Sequence, residues 1–401
     1  MTSSAGLKPT DYVFAARALR DFADAFVAVL LPVYLLGLGF SPLEVGVVAT
    51  ASLFGSALLT IGVGLIGVRL DLRSLLLVAA GWMAATGFAM SAANDYLPLL
   101  AIAFVGTMNP SAGSVSVFVP LEHAVLARDT PDRQRTGMFA RYSLVGALAG
   151  ALGGLAAAIP DVIIGLGLDQ LTAIKLMFAL YAALGLIGGL LYARIPRRPV
   201  GHELERPAPL GPSRSIVIKL AARFSLDAFA GGFAVQSLLA LWLFERFDLS
   251  LSQAGVFFFW TGVLSAFSFP VAAWLAKRIG LVNTIVFTHI PSSIALALAV
   301  LAPSLPWALT LLLVRAALSQ MDVPTRSSYV MAVVTEAERA AAASFTSVPR
   351  SLAAAASPAL AGALFAVSYR AWPFLICATL KIAYDLLLLL QFRHHKPPEE
   401  I

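Results

Sequence analysis

Apolar runs of about twenty residues follow one another from Tyr12 to Leu390, and no stretch between them is long enough to build a soluble domain. A helix rises about 1.5 Å per residue, so about twenty apolar residues cross the roughly 30 Å hydrocarbon core of a bilayer. The chain is therefore an integral membrane protein. Of its 401 residues 59% are hydrophobic and 12% charged, and the mean hydropathy is +0.85, too oily for a fold whose exterior faces water.

The opening "MTSSAGLKPTDY" lacks the basic head, short apolar core and small-residue cleavage site of a secretory signal, so no cleaved leader is expected. Cys377 is the single cysteine, which excludes an internal disulfide and cysteine-based metal sites. His394 and His395 have no carboxylate or cysteine at metal-ligand spacing, so neither metal nor cofactor is expected. There is no phosphate-binding loop, dinucleotide fingerprint or catalytic triad, which speaks against an ATP-driven pump, an intramembrane hydrolase or any other enzyme. The net charge of +6 is a property of loops and does not call for nucleic acid.

Twelve apolar segments can be counted, centred near Ala28, Ser56, Met83, Gly113, Leu148, Ala182, Gly232, Phe259, Ile290, Ala317, Ala355 and Ala378. Turn-rich breaks such as "GFSP" at Gly39 to Pro42 and "APSLP" at Ala302 to Pro306 punctuate them. Lys and Arg gather in alternate loops: Arg69 and Arg73; Arg128, Arg133 and Arg135; Arg194 to Arg214; Lys277 and Arg278; Arg339; and Arg393 with Lys396. Because basic loops stay cytoplasmic, both termini are expected in the cytoplasm. The Pro-rich, charged stretch from Arg194 to Arg214 has no apolar period and reads as a linker. The expected organisation is a bundle over 1–193, a cytoplasmic linker over 194–214, and a second bundle over 215–401.

An internal repeat relates the two parts. Arg20-x3-Asp24-Ala-Phe returns as Arg223-x3-Asp227-Ala-Phe, 203 residues on. Gly46-Val47 returns as Gly255-Val256, Arg69 as Arg278, Val119-Pro120 as Val323-Pro324, and Arg141 as Arg350, all in order. Two related six-helix halves joined by a polar loop resemble the major facilitator superfamily of secondary transporters, across the whole chain. That resemblance implies an all-α polytopic fold of twelve transmembrane helices in two pseudo-symmetric bundles. In the family's loop between helices two and three, Gly64, Arg69 and Arg73 match, while Val68 stands at the Asp position and Asp71 at the second Gly. The second-half copy keeps Arg278 and Gly280 and places Lys277 at the Asp position. The resemblance makes Arg69, Arg73, Lys277 and Arg278 cytoplasmic gate residues. A glycine motif tied to proton-driven antiporters is matched in part by Gly146, Gly150, Gly153 and Gly154, and more closely in spacing by Ala353 to Gly362. Close helix approach through small residues is the simpler reading of both.

In this family the first, fourth, seventh and tenth helices line the central cavity, and intramembrane charge falls on those segments: Arg17, Arg20, Asp21 and Asp24; Glu122 and His123; Lys219, Arg223 and Asp227; Arg315, Asp322 and Arg326. Helical spacing agrees independently. Within each of segments one, seven and ten the charges recur at intervals of three, four or seven and share one face, so they line a polar interior. At 1.5 Å per residue Asp24, Asp227 and Asp322 lie at one depth, roughly 18 Å in. Arg20, Arg223 and Arg326 lie about one turn nearer the cytoplasm, and the aligned Val-Pro pairs place Glu122 opposite Arg326.

Three readings of these charges stay open. Acids and arginines pair across the halves as a brace; one of Asp24, Asp227 or Glu122 exchanges a proton; or an arginine holds an anionic cargo. Pro110, Pro120 and Pro324 are expected to kink cavity helices, "FFFW" at Phe257 to Trp260 to pack in the core or face lipid, and Lys381 with Asp385 to form an i,i+4 couple. The overall expectation is a monomeric secondary transporter of a small molecule in a bacterial-type inner membrane, driven by protons. Export of an organic or drug-like compound is the first reading and uptake of a metabolite the second. A sensor or assembly factor on the same scaffold is the rival from another class.

Overall fold

The computed structural model describes residues 8–66, 71–111, 116–197, 210–335, 338–367 and 370–392. Among them are sixteen helices and no strand, and they follow the twelve apolar segments. Segments one to three are α1 (Pro9–Gly37), α2 (Pro42–Ile66) and α3 (Leu72–Ala92), and segment four is split into α4 (Tyr96–Val105) and α5 (Phe118–Asp129). Segment five is α6 (Asp132–Ala156) with the short α7 (Ile159–Gly165), and segment six is α8 (Gln170–Tyr192). In the second half, segment seven is α9 (Arg214–Gly232) and α10 (Gln236–Phe247), followed by α11 (Leu251–Ile279) and α12 (Leu281–Leu301). Segment ten is split into α13 (Leu305–Ser319) and α14 (Asp322–Ala332), and α15 (Arg339–Val367) and α16 (Trp372–Phe392) complete the chain. Eight stretches are long and apolar enough to cross a bilayer. The other four segments are the charged α1, the two split segments, and α15 with Arg339 and Arg350.

Pro120 and Pro324 do not kink helices; each is the third residue of a new one, α5 and α14, and Pro110 lies in the non-helical connection before α5. The reason is local: in a first turn the backbone N–H has no intrahelical acceptor, so proline loses nothing there, whereas inside a helix it removes a hydrogen bond. Gly280 alone joins α11 to α12 at φ 85°, a conformation open to glycine at little cost.

The internal repeat is visible in helix neighbours. In the first half α1 packs on α6 and α8, and α3 on α8 and α5; in the second α9 packs on α15 and α16, and α12 on α16 and α14. The chain forms two compact units. One comprises Met1–Phe40, Gly55–Leu204 and Ser250–Phe259; the other comprises Ser41–Phe54, Glu205–Leu249 and Trp260–Ile401. The start of α2 thus belongs with the second unit and the start of α11 with the first. Glycines permit both placements. A Cβ on Gly46 would lie 2.5 Å from the Pro358 carbonyl and 2.9 Å from Gly362 Cα, and one on Gly255 would lie 3.1 Å from the Leu155 carbonyl. Asp161 fastens the second contact by accepting the Ser252 N–H at 2.7 Å and its hydroxyl at 2.6 Å. Of the "FFFW" stretch, Phe257 and Phe258 are buried and Trp260 is exposed.

Outside the spanning helices Glu338 ties the start of segment seven to the loop before α15. Its carboxylate accepts the Gly211 N–H at 2.5 Å and the Ser213 and Thr335 hydroxyls at 2.6 Å. The Ser213 hydroxyl first, and the Thr335 hydroxyl second, hold this carboxyl down at about 2. A depressed acid stabilises the fold above its ordinary value of about 4.3 and loses that contribution as pH falls through its folded value. The thermal midpoint should therefore decline below about pH 4, and Glu338→Gln should remove this part of the decline, read from paired melting curves. Gly46→Ala should cost about 1–3 kcal/mol through overpacking although alanine is the better helix former. Gly62→Ala, whose added Cβ meets nothing within 4 Å, should raise the midpoint. Equal midpoints for the two variants would reject the close crossing.

Candidate functional site

Each unit buries one ionic cluster. In the first, Arg20 on α1 meets Glu122 on α5, Nη1 to Oε2 at 2.8 Å. Glu122 also accepts the hydroxyls of Tyr142 at 2.5 Å and Tyr192 at 2.6 Å, so both of its oxygens are engaged. The Arg20 guanidinium lies over the Phe118 ring, 4.8 Å from its centroid, and 3.6 Å from Asp21. Asp21 is paired with Arg17 at 2.7 Å, one helical turn back. Asp24 stands apart. Its Oδ1 accepts the Tyr181 hydroxyl at 3.4 Å, Tyr181 is in turn 3.1 Å from the Thr107 hydroxyl, and Asp24 Oδ2 has no partner among the described residues.

In the second unit Asp227 on α9 is ringed by basic groups: Lys381 Nζ at 2.6 Å, Arg326 Nη1 at 3.4 Å and His289 Nε2 at 3.8 Å. Arg326 also binds Asp322, one turn earlier on α14, at 2.5 Å. His289 Nδ1 lies 3.1 Å from Asp385. The buried apolar side chains of Val217, Leu220, Phe224, Val286, Tyr329 and Tyr384 pack as the core of this unit.

The stripes expected from spacing are buried in part: Arg20, Asp21, Asp24, Asp227, Asp322 and Arg326 lie inside the protein, Arg17 is half-buried, and Lys219, expected on the buried face of α9, is exposed near the start of that helix. Arg223 is half-buried and donates to Gln391 at 3.4 Å. Arg315 is half-buried and forms no ion pair among the described residues, with the Cys377 side chain within electrostatic reach. Of the gate residues, Arg73 donates to the Ala193 carbonyl at 2.7 Å, Lys277 and Arg278 are exposed, and Arg278 stacks on Trp274 at 4.2 Å. Arg69 lies outside the described residues. Asp71, found where the family's loop carries glycine, is the N-cap of α3 and accepts the Ser74 N–H at 3.1 Å.

Two expected pairings are corrected. Glu122 is bound by Arg20 of the neighbouring α1, and Arg326 by Asp322 of its own helix and Asp227 of α9, because each finds an opposite charge within its own unit. Lys381 and Asp385 share a face of α16, but that face looks onto α9 and α12, so Lys381 takes Asp227 and Asp385 takes His289. Tyr142, Tyr181 and Tyr192 carried no signal, since tyrosine is unremarkable in an apolar helix. His289 did carry one, as an ionisable residue inside a span.

Losing one partner of a buried ion pair costs about 3–5 kcal/mol, because the other charge is left uncompensated. Arg20→Leu should therefore be strongly destabilised in a detergent melting assay, and adding Glu122→Leu should recover most of the loss. Tyr192→Phe, which removes one hydrogen bond to a charge, should cost about 1.5–3 kcal/mol. A double variant no more stable than Arg20→Leu would refute the pairing.

The sequence profile of the Major Facilitator Superfamily matches residues 13–321 and 225–401. The uncharacterized membrane protein YJR124C of Saccharomyces cerevisiae is 24% identical over 356 residues, 80% of each chain. Among solved structures, the inward-open xylose transporter XylE of E. coli aligns with a TM-score of 0.75 at 15% identity over 98% of both chains. The nucleoside transporter NupG aligns at 0.73 and 14% identity, covering 97% of this chain and 100% of that one. A bacterial homolog of the human lysosomal transporter Spinster aligns at 0.70 and 18% identity over 96% of both. At these identities the likeness to solved structures is one of fold. Repeat, helix order, matched profile and shared fold agree: the chain is a multi-pass membrane protein of twelve transmembrane segments and belongs to the Major Facilitator Superfamily.

Proposed function

We propose that this protein is a secondary active transporter of an organic small molecule, driven by protons, and that Asp24 carries the proton. The carrying observation is the environment of Asp24. It is 1% exposed, touches one hydroxyl, and has an oxygen with no partner among the described residues. A buried ionised carboxylate without a cation is expensive, so such a group is stable as the neutral acid and ionises when water reaches it. Glu122 and Asp227 have the opposite surroundings, each held by cations or several donors, and serve as fixed charges. Rocking of the halves 1–193 and 215–401 would expose Asp24 alternately to either side.

The pairings also bear on cargo. Arg315 on α13 and Arg350 on α15 are half-buried; neither forms an ion pair with an acid among the described residues, though Arg350 lies within electrostatic reach of Asp227 and Asp322. Guanidinium forks of this kind suit a carboxylate or phosphate on the transported compound. Export remains the first reading, from the compact loops. Uptake is the second reading: Gly153 and Gly154, part of the antiporter-like run, sit against the Phe22 backbone and Phe258, so packing accounts for them and they carry no direction. The distribution of Lys and Arg supports an orientation with both termini cytoplasmic; an inner-membrane location is part of the same proposal.

Proteoliposomes under an imposed proton gradient, assayed in both directions with anionic and neutral organic compounds, test the proposal. Asp24→Asn should abolish gradient-driven flux and keep substrate counterflow. Full gradient-driven flux in that variant would remove Asp24 from the mechanism. Arg315→Gln should weaken anion transport through KM by at least about tenfold, the equivalent of one charge-assisted hydrogen bond of about 1.4 kcal/mol.

A further inference from the structure

Four side chains of the second unit form one unbroken row: Asp385 Oδ1 to His289 Nδ1 at 3.1 Å, His289 Nε2 to Lys381 Nζ at 3.2 Å, and Lys381 Nζ to Asp227 Oδ1 at 2.6 Å. Valence fixes its polarity. A lysine ammonium has three N–H donors and no lone pair, so His289 Nε2 meets it only as an acceptor. The ring proton then sits on Nδ1 and is donated to Asp385. His289 is neutral in this state, and Lys381 is the cation that both His289 and Asp227 share. Lys381 is also the member that reaches outward: its side chain is 14% exposed, whereas those of Asp227, His289 and Asp385 are at most 4% exposed.

We propose that His289 is a second proton-binding site, loaded when Lys381 withdraws from Asp227. With the ammonium gone, the Nε2 lone pair is open to a proton from water entering behind it. Nε2 already lies 3.8 Å from Asp227 Oδ1, so the new N–H turns onto Asp227 while Nδ1–H stays on Asp385. One proton is taken from water for each lysine displaced, and Asp227 exchanges one cation for another. Asp385 gains the more: its Oδ2 has no partner among the described residues, and the imidazolium supplies a positive charge beside it. The other groups around the row leave this vacancy open. Tyr384 of α16 presents its ring to His289, 6.1 Å between centroids. Arg326 of α14 is engaged by Asp322 and Asp227. Arg350 of α15 lies within electrostatic reach of Asp227 and Asp322 without bonding either. Arg315 of α13 meets α12 through its carbonyl, which accepts the Ser292 hydroxyl at 3.3 Å. This site lies in the second unit, and nothing in it depends on the role given to Asp24.

Histidine is the side chain that changes charge between about pH 5 and 8, so the test needs no transport assay. In protein labelled with 15N-histidine, the difference spectrum between wild type and His289→Gln should show a neutral ring protonated on Nδ1 at about pH 7.5. A ring protonated on Nε2, or charged, overturns the proposal. Lys381→Met imitates the withdrawn lysine: its thermal midpoint should climb by several degrees between about pH 8 and pH 5, and Lys381→Met with His289→Gln should lose that climb. The same slope in the single and double variants counts against the site. If Lys381→Met is recovered folded only at acid pH and the double variant at none, the proposal holds; Lys381→Met unfolded at every pH rejects it.

Discussion

A charge withdrawn from water has to be answered by an opposite charge or by donors already in place beside it, and the interior of this protein is arranged around that requirement. Insertion scales put a charge at mid-bilayer at about 2.5–3.5 kcal/mol, so the ionic groups on α1, α5, α9, α14 and α16 would be prohibitive if left alone. They are not left alone. Arg20 and Glu122 close on each other with two tyrosine hydroxyls, and Asp227 gathers Lys381 and Arg326. Among the described residues Asp24, Arg315 and Arg350 form no ion pair, and the proposed function rests on them.

The duplicated halves keep a bond between their first and fourth segments but reverse its sign. Glu122 and Arg326 both sit two residues after a repeated Val-Pro. The first takes an arginine from α1 and the second an aspartate from α9. Because the motif Arg-x3-Asp recurs on both helices, reversing the fourth-segment charge selects the other member of the motif as partner. In the first half the arginine is consumed by Glu122 and Asp24 is left without a direct ion pair; in the second Asp227 is consumed and Arg223 is left to a glutamine. One duplicated motif thereby yields an isolated acid in one half and a fixed ion pair in the other. Prolines of the same repeated dipeptides lie in the first turns of α5 and α14, and both fourth-segment charges follow two residues later, as the fifth residue of each helix.

Small residues set the close helix contacts. Gly46 against Gly362 and Gly255 against Gly154 are repeat-related, and at each the backbones approach too closely for most side chains. Without a hydrophobic force between helices in lipid, such contacts depend on close packing. Glycine at these points is therefore a requirement of geometry before it is a signature of any transport direction.

Much of the fold was legible because its causes are local or periodic. Apolar length marks a span, and a charge recurring at three, four and seven residues marks one helix face, so twelve segments, the repeat and most of the buried stripes could be read from residue order. Which buried charge meets which could not be read. Glu122 with Arg326, and Lys381 with Asp385, were reasonable by alignment and spacing, yet partners are chosen by distances between side chains on different helices, and those exist once the helices pack. Tyrosine hydroxyls and His289 joined the clusters for the same reason, supplied by helices whose sequence gives no cue to their facing. By itself the sequence determined that charge is buried, on which helices and on which faces. Only the tertiary structure decided which of those charges are neutralised and which are left to act, because neutralisation depends on contacts between helices that no single segment encodes.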